Sequence, residues 1–178
     1  AASRMEVKID SPDPNTHAGE IICRGTNLML GYYKNPEATA QIIDKDGWLH
    51  TGDLGTMDNQ GYVTIRGRSK NLLLNSSGHN IYPEEIESKL NNMLYVSESL
   101  IVLQNDKLVA LIYPDFDEAF ANGLQQPDIE KAMENNRIEL NLQLPSYSQI
   151  TKVKIHFEEF EKTAKKSIKR FMYQEAKG

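Results

Sequence analysis

Cysteine is almost missing: Cys23 is alone among 178 residues. No disulfide can close within the chain, which suits a reducing compartment. Long apolar runs are missing too. No uncharged stretch approaches the ~18–20 apolar residues that cross a bilayer, so no transmembrane segment is expected. Histidine is scarce, with four residues, and no His, Cys or carboxylate grouping has metal-ligand spacing, so no protein-built metal site is expected. Internal repeats and low-complexity tracts are absent.

What remains is 39% hydrophobic and 25% charged with 11 glycines, the composition of an ordinary globular chain. Twenty bases against 25 acids give a net charge of −5, a poor balance for nucleic-acid or anionic-membrane binding. The charge is uneven. Residues 162–170 (KTAKKSIKR) hold five bases and no acid, so the rest of the chain sets 15 bases against 25 acids. Alone, that segment reads as the solvated face of a terminal helix. The chain opens AASRMEVKID without an initiator Met and alternates at once, so it is expected to begin inside a fold as part of a longer protein.

Residues 1–66 read as short strands divided by turns: MEVKID, then SPDPN, GEIICRG, GWLHTG and GYVTIRG, the last two separated by the hairpin turn Asp58 to Gly61. Asn35-Pro36-Glu37 predicts a helix start, with proline and acid in the first turn. After Gly67 the pattern changes. Leu72 to Leu74 make a short strand, and Asn75-Ser76-Ser77-Gly78 a turn. Ile86, Leu90 and Met93 lie at helical spacing behind Pro83, and SLIVLQ and KLVALIY flank the turn Asn105-Asp106. A helix after Pro127, a strand at 153–157 and a final helix ending near Gln174 complete the prediction. The expected class is α+β: a β-rich segment over 1–66, then a small α+β domain over 67–178.

Within GWLHTGDLG (47–55), Gly52 removes a side chain beside Asp53, so a ligand can approach the backbone. A carboxylate presented this way can accept two hydrogen bonds from the vicinal hydroxyls of a ribose. Alone, Thr-Gly-Asp is only a turn. Arg68 and Lys70 follow at the predicted junction, where a guanidinium can reach a phosphate or ribose oxygen. They also fit a pair of surface cations on a linker. Tyr32, Tyr33 and Trp48 read as packing rather than substrate stacking, and Cys23 as a small buried hydrophobe.

GYYKNPEAT (31–39), GWLHTGDLG, GRSKNLLLNSSGHNIYPEEIE (67–87) and FEKTAKKSIKR (160–170), in that order, resemble the C-terminal part of the adenylate-forming superfamily of acyl-CoA synthetases, peptide-synthetase adenylation domains and luciferases. The resemblance covers essentially the whole chain. It implies that 1–66 end a β-barrel-like subdomain of a large N-terminal domain and that 67–178 form a mobile lid. It matches Asp53 to the acid on the ribose of ATP and the acyl-adenylate, and Arg68 to the arginine on the same nucleotide. Lys70 falls at the hinge residue, and Gly78 at the glycine of the hairpin lining the pantetheine tunnel.

The family form PKTxSGKIxR places Ser167 where a lysine contacts the substrate carboxylate and the α-phosphate. Lys166 is one residue early and is the expected substitute, with Lys165 and Lys169 as alternatives. The implied activity is a fatty-acid–CoA ligase using ATP, Mg2+ held with the missing N-terminal domain, and CoA, with AMP as product and no nucleic-acid partner. Cytoplasmic location, with room for peripheral membrane contact, is expected, and the fragment alone is expected to be inactive. A carrier protein in place of CoA, or a non-catalytic module docking through its basic segment, are the alternatives.

Overall fold

A computed structural model describes residues 4–174. Two compact units divide the chain, the first ending at Asn71 and the second beginning at Leu72.

The first unit is an open antiparallel meander of β1 (Met5–Asp10), β2 (Gly19–Gly25), β3 (Leu49–Met57) and β4 (Val63–Arg68), neighbouring in that order. Its β2–β3 connection carries α1 (Pro36–Ile42), whose first turn is capped by the Asn35 side chain accepting the Ala38 N–H. Ile9, Ile22 and Cys23 are its buried apolar residues. Burial pushes the Cys23 thiol pKa up, as expected for an inert, core-like cysteine. Trp48 is half-buried, with Lys8 and Arg24 over its ring at 4.0 and 4.6 Å. Tyr32 and Tyr33 are 51% and 88% exposed, so neither packs into the core of this unit as expected.

In the second unit, β5 (Leu73–Leu74) and β6 (Asn80–Ile81) form a two-stranded hairpin, followed by α2 (Pro83–Leu90). β7 (Val96–Gln104) and β8 (Lys107–Pro114) pair antiparallel through Asn105 and Asp106. Both turn residues have positive φ, 48° and 58°. A two-residue turn of that hand matches the twist of the strands.

A crossover through α3 (Phe116–Ala121) and α4 (Gln126–Asn141) brings β9 (Lys152–Ile155) parallel to β8. Sequence periodicity missed α3, a six-residue helix started by the Asp115 side chain.

Alternation along β7 and β8 feeds two cores. Ile101, Ala110 and Ile112 pack with Ile86, Leu90, Ile129, Met133 and Leu140 from α2 and α4. Leu100, Val102, Val109 and Leu111 pack with Phe160, flanked by Ile168 and Tyr173. Each such fully buried Leu, Ile or Val contributes about 1.5–3 kcal/mol.

The second cluster explains why the expected terminal helix is not formed. Residues 162–168 are a tight hairpin, with a bridge between Lys162 and Ile168, and only Arg170–Met172 make a 3-10 turn. Covering an extended sheet face with Phe160 and Ile168 calls for strand spacing, and tertiary packing overrides helix propensity here. Among the described residues no helix is long and apolar enough to cross a membrane.

Candidate functional site

Asp53 lies in an irregular stretch of β3. Between the pairs Glu20–Leu54 and Ile22–His50, β2 advances two residues while β3 advances four. Thr51, Gly52 and Asp53 therefore bulge from the ladder. Bulges of this kind re-aim side chains at the edges of sites. Gly52 has φ +72°, and a Cβ there would meet nothing within 4 Å. Backbone conformation, rather than space, is what selects glycine at this position within the unit.

Hydrogen bonds hold the bulge. The Thr51 hydroxyl donates to the Ile21 carbonyl at 2.7 Å and accepts the Asp53 N–H at 3.1 Å. The Gly52 N–H donates to Glu20 Oε1 at 2.8 Å. Arg68 sits directly opposite Asp53 on β4. Its Nη1 donates to Asp53 Oδ1 at 2.6 Å and to the Thr51 carbonyl at 3.2 Å. Two residues singled out 15 positions apart in sequence thus meet as a cross-strand pair. Lys70 follows in the 3-10 turn Ser69–Asn71 that ends the first unit.

His50 lies in the same GWLHTGDLG stretch. Its Nδ1 lies 2.7 Å from Glu20 Oε2 and its Nε2 3.6 Å from Asp44 Oδ2. The Glu20 hydrogen bond, assisted by Asp44, raises the His50 pKa above 6.5. A raised folded-state pKa gives stability that is full below the unfolded value and is lost as pH rises through the folded one. Thermal unfolding of the first unit should therefore move to lower temperature as pH rises above the unfolded value of 6.5, and His50→Gln should flatten that change. An unaltered pH slope in the variant would discount the pair.

In the second unit, Gly78 closes the β5–β6 hairpin with φ +78° and open space at its Cβ position. Asn75 organises the turn, its Oδ1 accepting the N–H groups of Ser77 and His79 at 3.1 and 2.9 Å. His79 stacks on Tyr147, with centroids 4.6 Å apart.

The basic hairpin sorts its five cations. Lys162 lies 2.8 Å from Glu98 Oε1, Lys169 lies 3.5 Å from Glu161, and Arg170 pairs with the buried Glu87. Glu98, with Glu159, raises the Lys162 pKa. Lys165 and Lys166 are exposed and make no ion pair among the described residues. The Thr163 N–H donates to the Ser167 carbonyl and the Lys166 N–H to that of Thr163, closing the turn with Lys166 at φ +61°.

Glu87 and Glu20 are the residues that sequence reasoning missed. Glu87 left a signal, because a carboxylate beside Ile86 and Leu90 on the apolar stripe of α2 implies a buried partner. Glu20 left none within its own strand.

The AMP-binding enzyme C-terminal domain family matches residues 70–176, more than half of the chain. This chain belongs to the AMP-binding, adenylate-forming enzymes.

Among curated relatives, it is 49% identical over 98 residues to a 3-[(3aS,4S,7aS)-7a-methyl-1,5-dioxo-octahydro-1H-inden-4-yl]propanoyl:CoA ligase of Rhodococcus jostii, covering 55% of this chain and 18% of that protein. A 2-methylpropanoate–CoA ligase of Humulus lupulus is 33% identical over 96% of this chain and 31% of its own length. A long-chain-fatty-acid–CoA ligase of Salmonella typhimurium is 48% identical over 46% of this chain and 15% of its own. The ATP-bound structure of MatB from Rhodopseudomonas palustris matches 97% of this chain and 34% of its own, at 26% identity and a TM-score of 0.70. The chain thus spans about a third or less of these relatives. Lys166, one residue before Ser167, has a left-handed φ, the backbone that glycine favours.

Proposed function

We propose that this chain is the C-terminal part of an ATP-dependent fatty-acid–CoA ligase. The observation that carries the reading is the Asp53–Arg68 cross-strand pair on a glycine bulge. A carboxylate there, about one-third exposed, can accept both ribose hydroxyls of ATP while the guanidinium, about half exposed, turns toward the same nucleotide. Likeness to CoA ligases supports the reaction class, and the Salmonella relative supports a long-chain acid. In the proposed reaction a carboxylate oxygen attacks the α-phosphorus of ATP, the bond to pyrophosphate breaks, and acyl-AMP forms. The CoA sulfur then attacks the acyl carbon, and the bond to AMP breaks. Adenylation turns a poor leaving group into a good one.

In this reading Lys166 offsets charge at the carboxylate and α-phosphate during the first half. Rotation about Lys70 exchanges that lysine for the Gly78 hairpin, whose bare backbone admits the thiol in the second. Among the described residues no group of three or more His, Cys, Asp or Glu converges as metal ligands. In this reading the Mg2+ that accompanies ATP draws on residues outside this chain. So do the acyl pocket and the triphosphate loop, since no glycine-, serine- and threonine-rich loop occurs in the sequence. A reducing cytoplasm is the setting the reading implies.

Fatty-acid-dependent pyrophosphate release tests it. The full-length enzyme should turn over, Asp53→Ala should raise its KM for ATP about tenfold or more through lost charge-assisted bonds, and the chain alone should stay at background. Turnover by the chain alone, or an unmoved KM in Asp53→Ala, overturns the reading.

A further inference from the structure

Glu20 stands on β2, 32 positions before the glycine whose N–H it accepts. That N–H belongs to the bulge. With two residues of β2 set against four of β3, Gly52 has no place in the ladder and needs an acceptor of another kind. Glu20 supplies a carboxylate oxygen at 2.8 Å, and its second oxygen lies 2.7 Å from His50 Nδ1, which fixes the carboxylate plane. Nothing would contact a Cβ on Gly52 within 4 Å, so the space beside the turn is open at that point. Five hydrogen-bonded contacts hold its shape: Glu20 to Gly52, Thr51 to Ile21, Asp53 to Thr51, and Arg68 to both the Thr51 carbonyl and the Asp53 carboxylate. Glu20 alone brings a carboxylate to the peptide preceding Asp53.

We propose that Glu20 is a positioning residue for the nucleotide: by holding the Gly52 peptide it sets where Asp53 presents its carboxylate to the ribose. The proposal rests on the nucleotide reading of Asp53 and adds a residue to it. The geometry also sets which replacements keep the function. Glutamine retains an oxygen for the Gly52 N–H, and its amide N–H can face a neutral Nδ1 of His50. Aspartate keeps the charge but withdraws the oxygens by about one C–C bond, ~1.5 Å. Alanine removes both contacts.

The experiment is ATP-dependent pyrophosphate exchange by the full-length enzyme and its Glu20→Ala, Glu20→Asp, Glu20→Gln and Asp53→Asn variants, with KM and kcat determined for ATP and for the carboxylic acid. Glu20→Ala and Glu20→Asp should each raise the KM for ATP about tenfold or more, the range for a lost hydrogen bond to a charged group. The KM for the acid should stay within about twofold, and Glu20→Gln should restore most of the ATP affinity, since its oxygen still meets the Gly52 N–H.

A merely structural Glu20 would lower the melting temperature and the active fraction while leaving the KM for ATP in place, and that result overturns the proposal. If Glu20→Ala does not fold, Glu20→Asp decides: an unmoved KM for ATP counts against positioning. Asp53→Asn separates the two levels. If it raises the KM for ATP and the Glu20 variants do not, positioning by Glu20 fails alone. If Asp53→Asn itself leaves the KM unmoved, the nucleotide reading fails and the role of Glu20 fails with it.

Discussion

Arg170→Ala should destabilise the second unit by about 3–5 kcal/mol, the usual result of leaving a buried charge without its partner. Glu87 projects from α2 with its side chain only 9% exposed, and Arg170 meets it with 14% exposed. The other carboxylate oxygen accepts the Ile101 N–H at 2.7 Å. β7 is an outer strand of the order β7-β8-β9, so Ile101 has no further strand to bond on that side. One carboxylate therefore closes the sheet edge and anchors the end of the basic hairpin.

Burial pushes the Glu87 carboxyl pKa up, with the Arg170 guanidinium and the Ile101 N–H opposing the shift. An acid raised in the folded state adds stability below its unfolded value, near 4.5, and loses that contribution as pH rises through the folded value. Removing Arg170 takes away an opposing cause and raises the carboxyl further. The deficit of Arg170→Ala, followed by thermal or urea unfolding, should therefore be large near neutral pH and shrink as pH falls toward the unfolded value near 4.5. Glu87→Gln/Arg170→Leu keeps an oxygen for Ile101 and removes both charges, so it should regain most of the loss. A deficit that is equal at both pH values, or a double variant as unstable as the single one, would show that charge burial is not the cause.

That pair also marks how far the sequence could be read. The alternation of β7 and β8, the Asn105-Asp106 turn, and the proline starts of α1, α2 and α4 are local signals, and each element formed where its signal lies. The Asp53–Arg68 contact is not local. It depends on a register between strands, and the bulge that exposes Asp53 comes from a mismatch between β2 and β3 that neither strand reveals by itself. Glu20 stayed invisible for the same reason.

The basic segment failed differently. Its lysines suggested a solvated helix face, whereas Ile168, Phe160 and Tyr173 were already committed to an extended sheet surface. Tyr32 and Tyr33 were read as packing from residue type alone, and type does not fix exposure.

Lys166→Gly should slow adenylation by about 10²–10³, the scale for removing one group that stabilises transition-state charge, without destabilising the fold. The two halves of this expectation have separate causes. Lys166 holds φ +61°, a backbone that costs a non-glycine residue roughly 1–2 kcal/mol. Glycine relieves that strain and gives back about 0.5–1 kcal/mol in unfolded-chain entropy, so the melting temperature should hold or rise slightly. The lost ammonium has no ion pair to be missed among the described residues. Lys162, Lys169 and Arg170 are paired with Glu98, Glu161 and Glu87, while Lys166 makes no ion pair among the described residues.

Thioester formation from supplied acyl-AMP should be spared in Lys166→Gly, because the proposed lysine contact belongs to the first half-reaction. Ser167→Lys should raise adenylation above that of the native chain if Lys166 reaches the α-phosphate from one residue too early. Single-turnover measurement of both half-reactions in the full-length enzyme distinguishes the cases. Unchanged adenylation in Lys166→Gly would pass the role to Lys165, the other lysine on the same turn with no ion pair among the described residues, and loss of both half-reactions together would point to a displaced hairpin instead of a missing charge.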